Sequence, residues 1–369
     1  MKVALVHDYL NQAGGAERVV ASLARMYPDA PIFTTLFDRE VVGEPLASRD
    51  VRVSWMQRLP GWKRHFKAYL PLYPFGVRSF DLRGFDLVIS SSSAWGKGVR
   101  VPASAVHVCY CHTPMRWAWS FDDYVSRSEL HVAERMAARV VMSPLRAWDV
   151  STAQGVDRFV ANSTMVAERI RTCYGRDSDI VFPPIDVGRF RSDMPRGDFL
   201  LVVSRLNSYK RIDLAVRACT TLGLPLIVAG DGPDRPALEA LAGPSVRFVG
   251  RLPDSEVTRL FEECAAFILP GMEDFGLTPL EANAAGAPVV AFGFGGALDT
   301  VIDGTTGVLF GEPTPASLGQ AIAQVRARTW PAHVLRAHAE RFAEPVFHAG
   351  MRAAVDAAVQ RHHAGERHR

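Results

Sequence analysis

The sequence predicts an α/β protein made of two doubly wound, Rossmann-like parallel-sheet domains facing a central cleft. Three observations carry the prediction. Short apolar runs alternate with helical patterns along the whole chain, as βαβ units require. The alternation restarts at Phe199-Leu200-Leu201-Val202-Val203, a fully apolar strand, after a stiff, turn-rich stretch at 182–190. A chain of 369 residues with 48% hydrophobic content is also ample for two cores.

In the first half the expected strands are 3–6, 32–35, 51–54, 87–89, 106–110 and 159–161. In the second they are 199–203, 226–229, 246–249, 267–269, 289–291 and 308–310. This gives an N-terminal domain at 1–185, a C-terminal domain at 186–345, and a last segment at 346–369. The Ala/Arg-rich stretch 334–360 reads as helical, and the basic end from Arg361 has no assigned role. In such sheets ligands bind beyond the carboxyl ends of the strands, so the residues that follow each strand carry the functional argument.

Composition narrows the function classes. A formal charge of +3 is small for this length and does not suggest a nucleic-acid partner. Cys109, Cys111, Cys173, Cys219 and Cys264 form no disulfide framework, which fits a reducing cytoplasm. The apolar run after Met1 is too short for a signal peptide and reads as a first strand. No apolar run reaches the roughly 18–20 residues of a spanning helix. The expectation is a cytoplasmic protein, at most peripheral at the inner face of the plasma membrane.

The richest segment is Pro270-Gly271-Met272-Glu273-Asp274-Phe275-Gly276-Leu277-Thr278-Pro279-Leu280-Glu281. A strand precedes it and a helical stretch follows. A strand that ends in a glycine turn and opens a helix presents free N–H groups at the positive end of the helix dipole, which suits phosphate or sugar oxygens. Glu273 and Glu281 add acceptors for neutral hydroxyls. Thr278-Pro279-Leu280-Glu281 also fits a capping box with Pro at the first helical position, so Glu281 has a purely structural alternative. Glu273 stands before the helix, where capping does not account for it.

Five further segments follow strands. Arg205 and Lys210 lie in Val203-Ser204-Arg205-Leu206-Asn207-Ser208-Tyr209-Lys210 and read either as a diphosphate clamp that replaces a metal or as ordinary surface charge. Gly14-Gly15 opens a helix and lets backbone approach an anion, although a tight turn would use the same pair. This is neither Gly-x-Gly-x-x-Gly nor a Walker loop, so nicotinamide dehydrogenase chemistry is disfavoured. Cys109-Tyr110-Cys111-His112-Thr113-Pro114-Met115-Arg116 invites a zinc reading, but no partner pair stands at zinc spacing elsewhere. Alternation instead buries Cys109 and Cys111 on one face, with His112 at the strand end facing the cleft or serving structure. Gly230 and Arg251 follow two more strands, and Asp231-x-x-Asp234 is not the Asp-x-Asp of metal-dependent transferases. No metal and no cofactor are expected.

Together these motifs resemble the retaining family 4 glycosyltransferases of GT-B fold, whose signature is Glu-x7-Glu, here Glu273 and Glu281. The resemblance is strongest over 199–310. It implies that Glu273 meets the donor sugar's hydroxyls, that Glu281 meets the nucleotide ribose, and that Arg205 and Lys210 hold the diphosphate. Gly14, Gly15, Gly230, Arg251, Asp274, Phe275, Gly276 and Leu277 would line the donor site, and His112 would contact the sugar near its reacting carbon. The last helix would cross back to the N-terminal domain. The extended His112-Thr113-Pro114-Met115-Arg116 form is similar to bacterial polysaccharide mannosyltransferases, which points to GDP-mannose over a UDP-sugar. Gly271 stands where many relatives carry Ser, a change expected to loosen the turn.

Residues 51–80 carry Arg52, Arg58, Lys63, Arg64, Lys67 and Arg78 with no Asp or Glu, interleaved with Trp55, Trp62, Phe66, Tyr69, Tyr73, Phe75 and Phe80. That composition suits an anionic membrane surface or a polyprenyl-diphosphate-linked glycan acceptor; nucleic acid is the competing reading of such a patch, and a basic face over buried aromatics is the plain alternative. If the resemblance holds, transfer proceeds with retention. Double displacement needs a carboxylate nucleophile below the anomeric carbon, and the sequence offers no convincing one. Same-face displacement is then expected, with Asp122 and Asp123 as fallback bases. A GT-B epimerase and a non-catalytic sugar-nucleotide-binding protein are the rival classes.

Overall fold

A computed structural model describes residues 1–119 and 132–365. It divides into two units, Met1–Pro184 with Phe347–Arg369, and Ile185–Val346. The first holds a seven-stranded sheet of β1 (Val3–His7), β2 (Ile32–Thr34), β3 (Val51–Val53), β4 (Leu87–Ser92), β5 (Val106–Cys111), β6 (Arg158–Ala161) and β7 (Ser178–Ile180). Its order is β3-β2-β1-β4-β5-β6-β7, with every neighbouring pair parallel. The second unit holds β8 (Leu200–Val203), β9 (Leu226–Ala229), β10 (Val246–Gly250), β11 (Ala266–Leu269), β12 (Val289–Phe292) and β13 (Gly307–Phe310), in the order β10-β9-β8-β11-β12-β13 and again all parallel. Both are Rossmann-like sheets, as expected.

Packing follows from the residue pattern. Every residue of β4 and β5 is buried, because helices cover both faces of a parallel sheet. The helix Gly15–Met26 presents Val19, Val20 and Leu23 to Leu5, Ile32 and Ile89. The last helix, Glu344–His363, adds Phe347, Met351, Ala354, Val355 and Ala358 to that core; their three- and four-residue spacing makes one apolar stripe. In the second unit Leu200, Val202, Leu226, Val228, Ile268 and Val290 meet the buried sides of Ile212–Leu222 and Pro315–Arg326.

Three features depart from the sequence reading. β7 was not anticipated, since Ser178-Asp179-Ile180 has one apolar residue and lies at the sheet edge, where alternation is weakest. Stretch 334–360 is two helices, Ala332–Glu340 and Glu344–His363. Stretch 182–190 acts as a spacer only up to Pro184. Beyond it Ile185 pairs with Ala343, and buried Phe190 meets Phe261, so these residues belong to the second core.

Candidate active site

In the second unit the strand order reverses between β8 and β11: β9 and β10 run to one edge, β12 and β13 to the other. Such a switch point leaves a crevice beyond the carboxyl ends of the two central strands. Two of the segments singled out from sequence lie there. The loop after β8 carries Arg205 and Lys210, and the turn after β11 carries Glu273, Asp274, Phe275 and Gly276. β8 and β11 are direct neighbours, with Ala266 opposite Leu200. Residues 63 positions apart therefore emerge side by side. The Lys210 ammonium forms an ion pair with a Glu273 carboxylate oxygen, both side chains more than four-fifths buried. Arg205 is exposed on the same loop.

Backbone contacts fix that loop. Leu206 N–H donates to Asp231 O at 3.0 Å and Asp234 N–H to Leu206 O at 3.1 Å, which ties it to the turn after β9. Gly230 is needed there: its φ is +129°, and a Cβ would stand 1.8 Å from Ser204 O. Arg251, after β10, is exposed.

The helix after the Glu273 turn begins at Leu277, and Gly276 (φ +89°) is its N-cap without a side-chain hydrogen bond. Thr278 is thus the second helical residue and Pro279 the third. The capping-box reading of Glu281 falls, because the glycine turn starts the helix earlier than the Thr-Pro pair suggested. Glu281 is instead a buried residue inside the helix, 6% exposed. Gly271 also departs from expectation. It is buried, and a Cβ there would lie 2.4 Å from Lys210 O, so glycine tightens the site rather than loosening it. Gly296, which sequence reasoning passed over, donates its N–H to Glu273 O at 2.9 Å. The glycine-rich run Gly293-Phe294-Gly295-Gly296 after β12 was the available signal.

The first unit has its own switch point, between β1 and β4. Asp8, just after β1 and 3% exposed, occupies it. Its Oδ1 accepts from Trp95 N (2.8 Å), Gly96 N (2.5 Å) and Ser92 Oγ (3.1 Å), and its Oδ2 from Ser93 N (2.7 Å) and Ala94 N (3.0 Å). His112 lies beyond β5, buried, with Nε2 2.8 Å from Ser91 Oγ and its ring edge-on to Tyr110. His7 Nδ1–H donates to Ser91 O at 2.8 Å. Gly14 is the N-cap of Gly15–Met26 in extended backbone, φ −145°, so its conformation does not demand glycine.

Cys109 and Cys111 are buried among Phe159, Ala161 and Val166. Burial pushes the Cys109 thiol up to about 12 and Cys111 well above its ordinary value, which disfavours the thiolate a metal would need. Among the described residues no group of three His, Cys, Asp or Glu could hold a metal ion, and no helix is long and apolar enough to cross a membrane. Asp122 and Asp123 lie outside the described residues. In 51–80 the cations are exposed, but most aromatics serve a core: Tyr73 and Phe80 are buried there, and Trp62, Phe66 and Tyr69 pack against it. Phe75 and Trp55 are the exposed exceptions, at 66% and 41%.

Comparison with known proteins agrees with this fold. Residues 13–189 match the Glycosyltransferase Family 4 model and residues 189–341 the Glycosyl transferases group 1 model. A D-inositol 3-phosphate glycosyltransferase of Thermomonospora curvata is 30% identical over 212 residues, 47% of this chain and 49% of that protein. This chain therefore spans about half the length of such bacterial relatives. Alpha-1,3/1,6-mannosyltransferase ALG2 of Mus musculus is 26% identical over 84% of each chain. Anabaena Alr3699/HepE, solved in complex with UDP-glucose, shares the fold with a TM-score of 0.71 at 18% identity, covering 97% of this chain and all of that one. The two family matches together span residues 13–341, and this chain belongs to the family 4 glycosyltransferases of GT-B fold.

Proposed function

We propose that the chain transfers a hexose from a nucleotide-sugar to a glycan or polyprenyl-diphosphate-linked glycan in cell-surface polysaccharide synthesis, with retention at the anomeric carbon and without metal or cofactor. GDP-mannose is the preferred donor. The observation that carries the reading is the Lys210–Glu273 pair at the β8/β11 switch point, beside a helix start with glycine at its N-cap. A diphosphate needs cations and N–H groups, and a sugar needs acceptors; both stand there within one crevice.

Each residue then has a role. Lys210 and Arg205 stabilise the diphosphate charge that develops as the sugar leaves, helped by the N–H groups around Gly276 and Leu277. Glu273 accepts from sugar hydroxyls and Glu281 from the ribose, while Asp274, Phe275, Gly230 and Arg251 shape the nucleotide side. The Gly14-Gly15 helix start adds donors for the diphosphate, and His112 supports charge near the reacting carbon. The bond from the anomeric carbon to the leaving phosphate oxygen breaks, the bond to the acceptor oxygen forms on the same face, and the acceptor's proton passes to that phosphate oxygen.

The mannosyl preference rests on His112-Thr113-Pro114-Met115-Arg116 and on the likeness to ALG2. A UDP-sugar is the second reading, favoured by the complexes of Alr3699/HepE with UDP and UDP-glucose. Membrane contact through Phe75, Trp55 and the cations of 51–80 is part of the proposal, and flotation with anionic but not zwitterionic vesicles tests it.

The deciding experiment compares Glu273→Ala and Lys210→Ala with the parent protein. Each should lower kcat/KM about 100-fold or more while unfolding near the parent midpoint. Near-full activity in either folded variant would sink the assignment. Thermal unfolding against GDP, UDP, GDP-mannose and UDP-glucose then chooses the donor, since a ligand at 100 times its Kd stabilises by about 2.7 kcal/mol.

A further inference from the structure

Gly271 is the second residue after β11, and its φ is not positive, so backbone conformation does not call for glycine there. Space does. A Cβ at 271 would stand 2.4 Å from Lys210 O, 2.6 Å from Lys210 C and 3.0 Å from Lys210 Cα. All three are main-chain atoms and cannot swing aside as a side chain would. Lys210 is held from its own side as well. Its N–H donates to Asn207 O at 3.0 Å, and the next residue, Arg211, is the one non-glycine with positive φ among the described residues, at +52°. Arg211 is fixed in turn by two hydrogen bonds to Asp213, at 3.0 and 3.1 Å.

The Glu273 turn is gripped on its other side by Gly296. A Cβ there would lie 2.2 Å from Phe275 Cα and O. Three segments thus meet backbone to backbone, and the meeting point is the Lys210–Glu273 pair.

We propose that Gly271 is a positioning residue: its missing side chain sets the separation of the Lys210 main chain from the Glu273 turn, and so holds the two charges as one donor-binding unit. This rests on the donor-site reading of Lys210 and Glu273. Relieving a 2.4 Å contact to ordinary van der Waals distance moves the Lys210 backbone by about 1 Å. A displacement of that size in a binding constellation is worth up to about 100-fold.

The test is a double-mutant cycle on nucleoside diphosphate affinity, measured by calorimetry with GDP and UDP. Gly271→Ala should weaken the better ligand about 10- to 100-fold, and should weaken it no further in a Lys210→Ala background. Wild-type affinity in Gly271→Ala, or losses that simply add, would overturn the proposal. If Gly271→Ala does not fold, Gly271→Ala with Arg211→Gly frees the Lys210 backbone to yield; that protein should fold and still lose affinity, and retained affinity would count against the idea.

A second readout is independent of any nucleotide. The chain has five lysines, so 13C-dimethylated lysines give few, assignable NMR signals. The Lys210 signal should shift in Gly271→Ala toward its position in Glu273→Gln. If it shifts while the parent protein binds neither GDP nor UDP, the positioning stands and the donor reading falls. If it stays put, the positioning is wrong.

Discussion

Asp8→Asn should be among the most destabilising near-isosteric changes in the first unit. The Asp8 carboxylate accepts from four backbone N–H groups and one hydroxyl, two N–H groups on each oxygen. An amide turned one way sets its NH2 against Ser93 and Ala94; turned the other way, against Trp95 and Gly96. Either way two N–H groups lose their acceptor in a buried site and the remaining bonds lose their charge. At about 1–3 kcal/mol per unsatisfied buried donor, the loss is about 4 kcal/mol. For a unit of this size that lowers the unfolding midpoint by roughly 8–16 °C. Tryptophan fluorescence isolates the effect, since six of the seven tryptophans, all but Trp330, lie in the first unit. A midpoint within about 2 °C of the parent would refute the claim that Asp8 holds the loop after β4.

Arg211→Gly should be at least as stable as the parent: it removes about 1–2 kcal/mol of left-handed strain and gives up chain entropy and one half-exposed ion pair. Arg211→Val keeps the strain with a branched side chain and should fall roughly 1–2 kcal/mol below it; thermal unfolding of the two variants ranks them. Acid sensitivity is the last prediction. Burial holds His107 at about 4, below its ordinary 6.5, so the unfolded chain binds the proton first. Stability from this site is complete above pH 6.5, falls as pH drops, and is lost by about pH 4. By pH 5 the loss is about 2 kcal/mol, and a His107→Gln variant should show a correspondingly flatter stability profile in denaturant titrations.

How much was legible in the sequence depended on how local the signal is. The strands of the second unit were readable because each is a short apolar run between turns, and all six appear within a residue or two of expectation. β7 was not, since a polar edge strand carries no periodic mark. Arg205, Lys210 and Glu273 were readable as residues that follow strands. That Lys210 and Glu273 touch was not, because their meeting depends on β8 lying beside β11, a fact of strand order. The capping box misled because Gly276 starts the helix first. Gly271 misled for a related reason: its value lies in what stands opposite it, a backbone 61 residues earlier in the chain. The aromatics of 51–80 were legible as composition, yet burial sorts them residue by residue, and Tyr73 went inward while Phe75 stayed out.

The two sheets are alike in topology and opposite in what they do with the same location. Each reverses strand order beside its first strand, and each should therefore offer an anion site beyond the carboxyl ends there. In the first unit that offer is taken internally, since the Asp8 carboxylate already uses the N–H groups of Ser93, Ala94, Trp95 and Gly96. A phosphate at those four N–H groups would meet a fixed negative charge instead of free donors. In the second unit the N-cap of the helix after β11 is Gly276, which has no side chain to fill the site, and the carboxylate beside it, Glu273, is neutralised by Lys210. A diphosphate can compete for that ammonium while a sugar hydroxyl donates to the carboxylate it releases. The electrostatics at the second unit's switch point thus suit a diphosphate, whereas the four N–H groups at the first unit's switch point are already satisfied by Asp8.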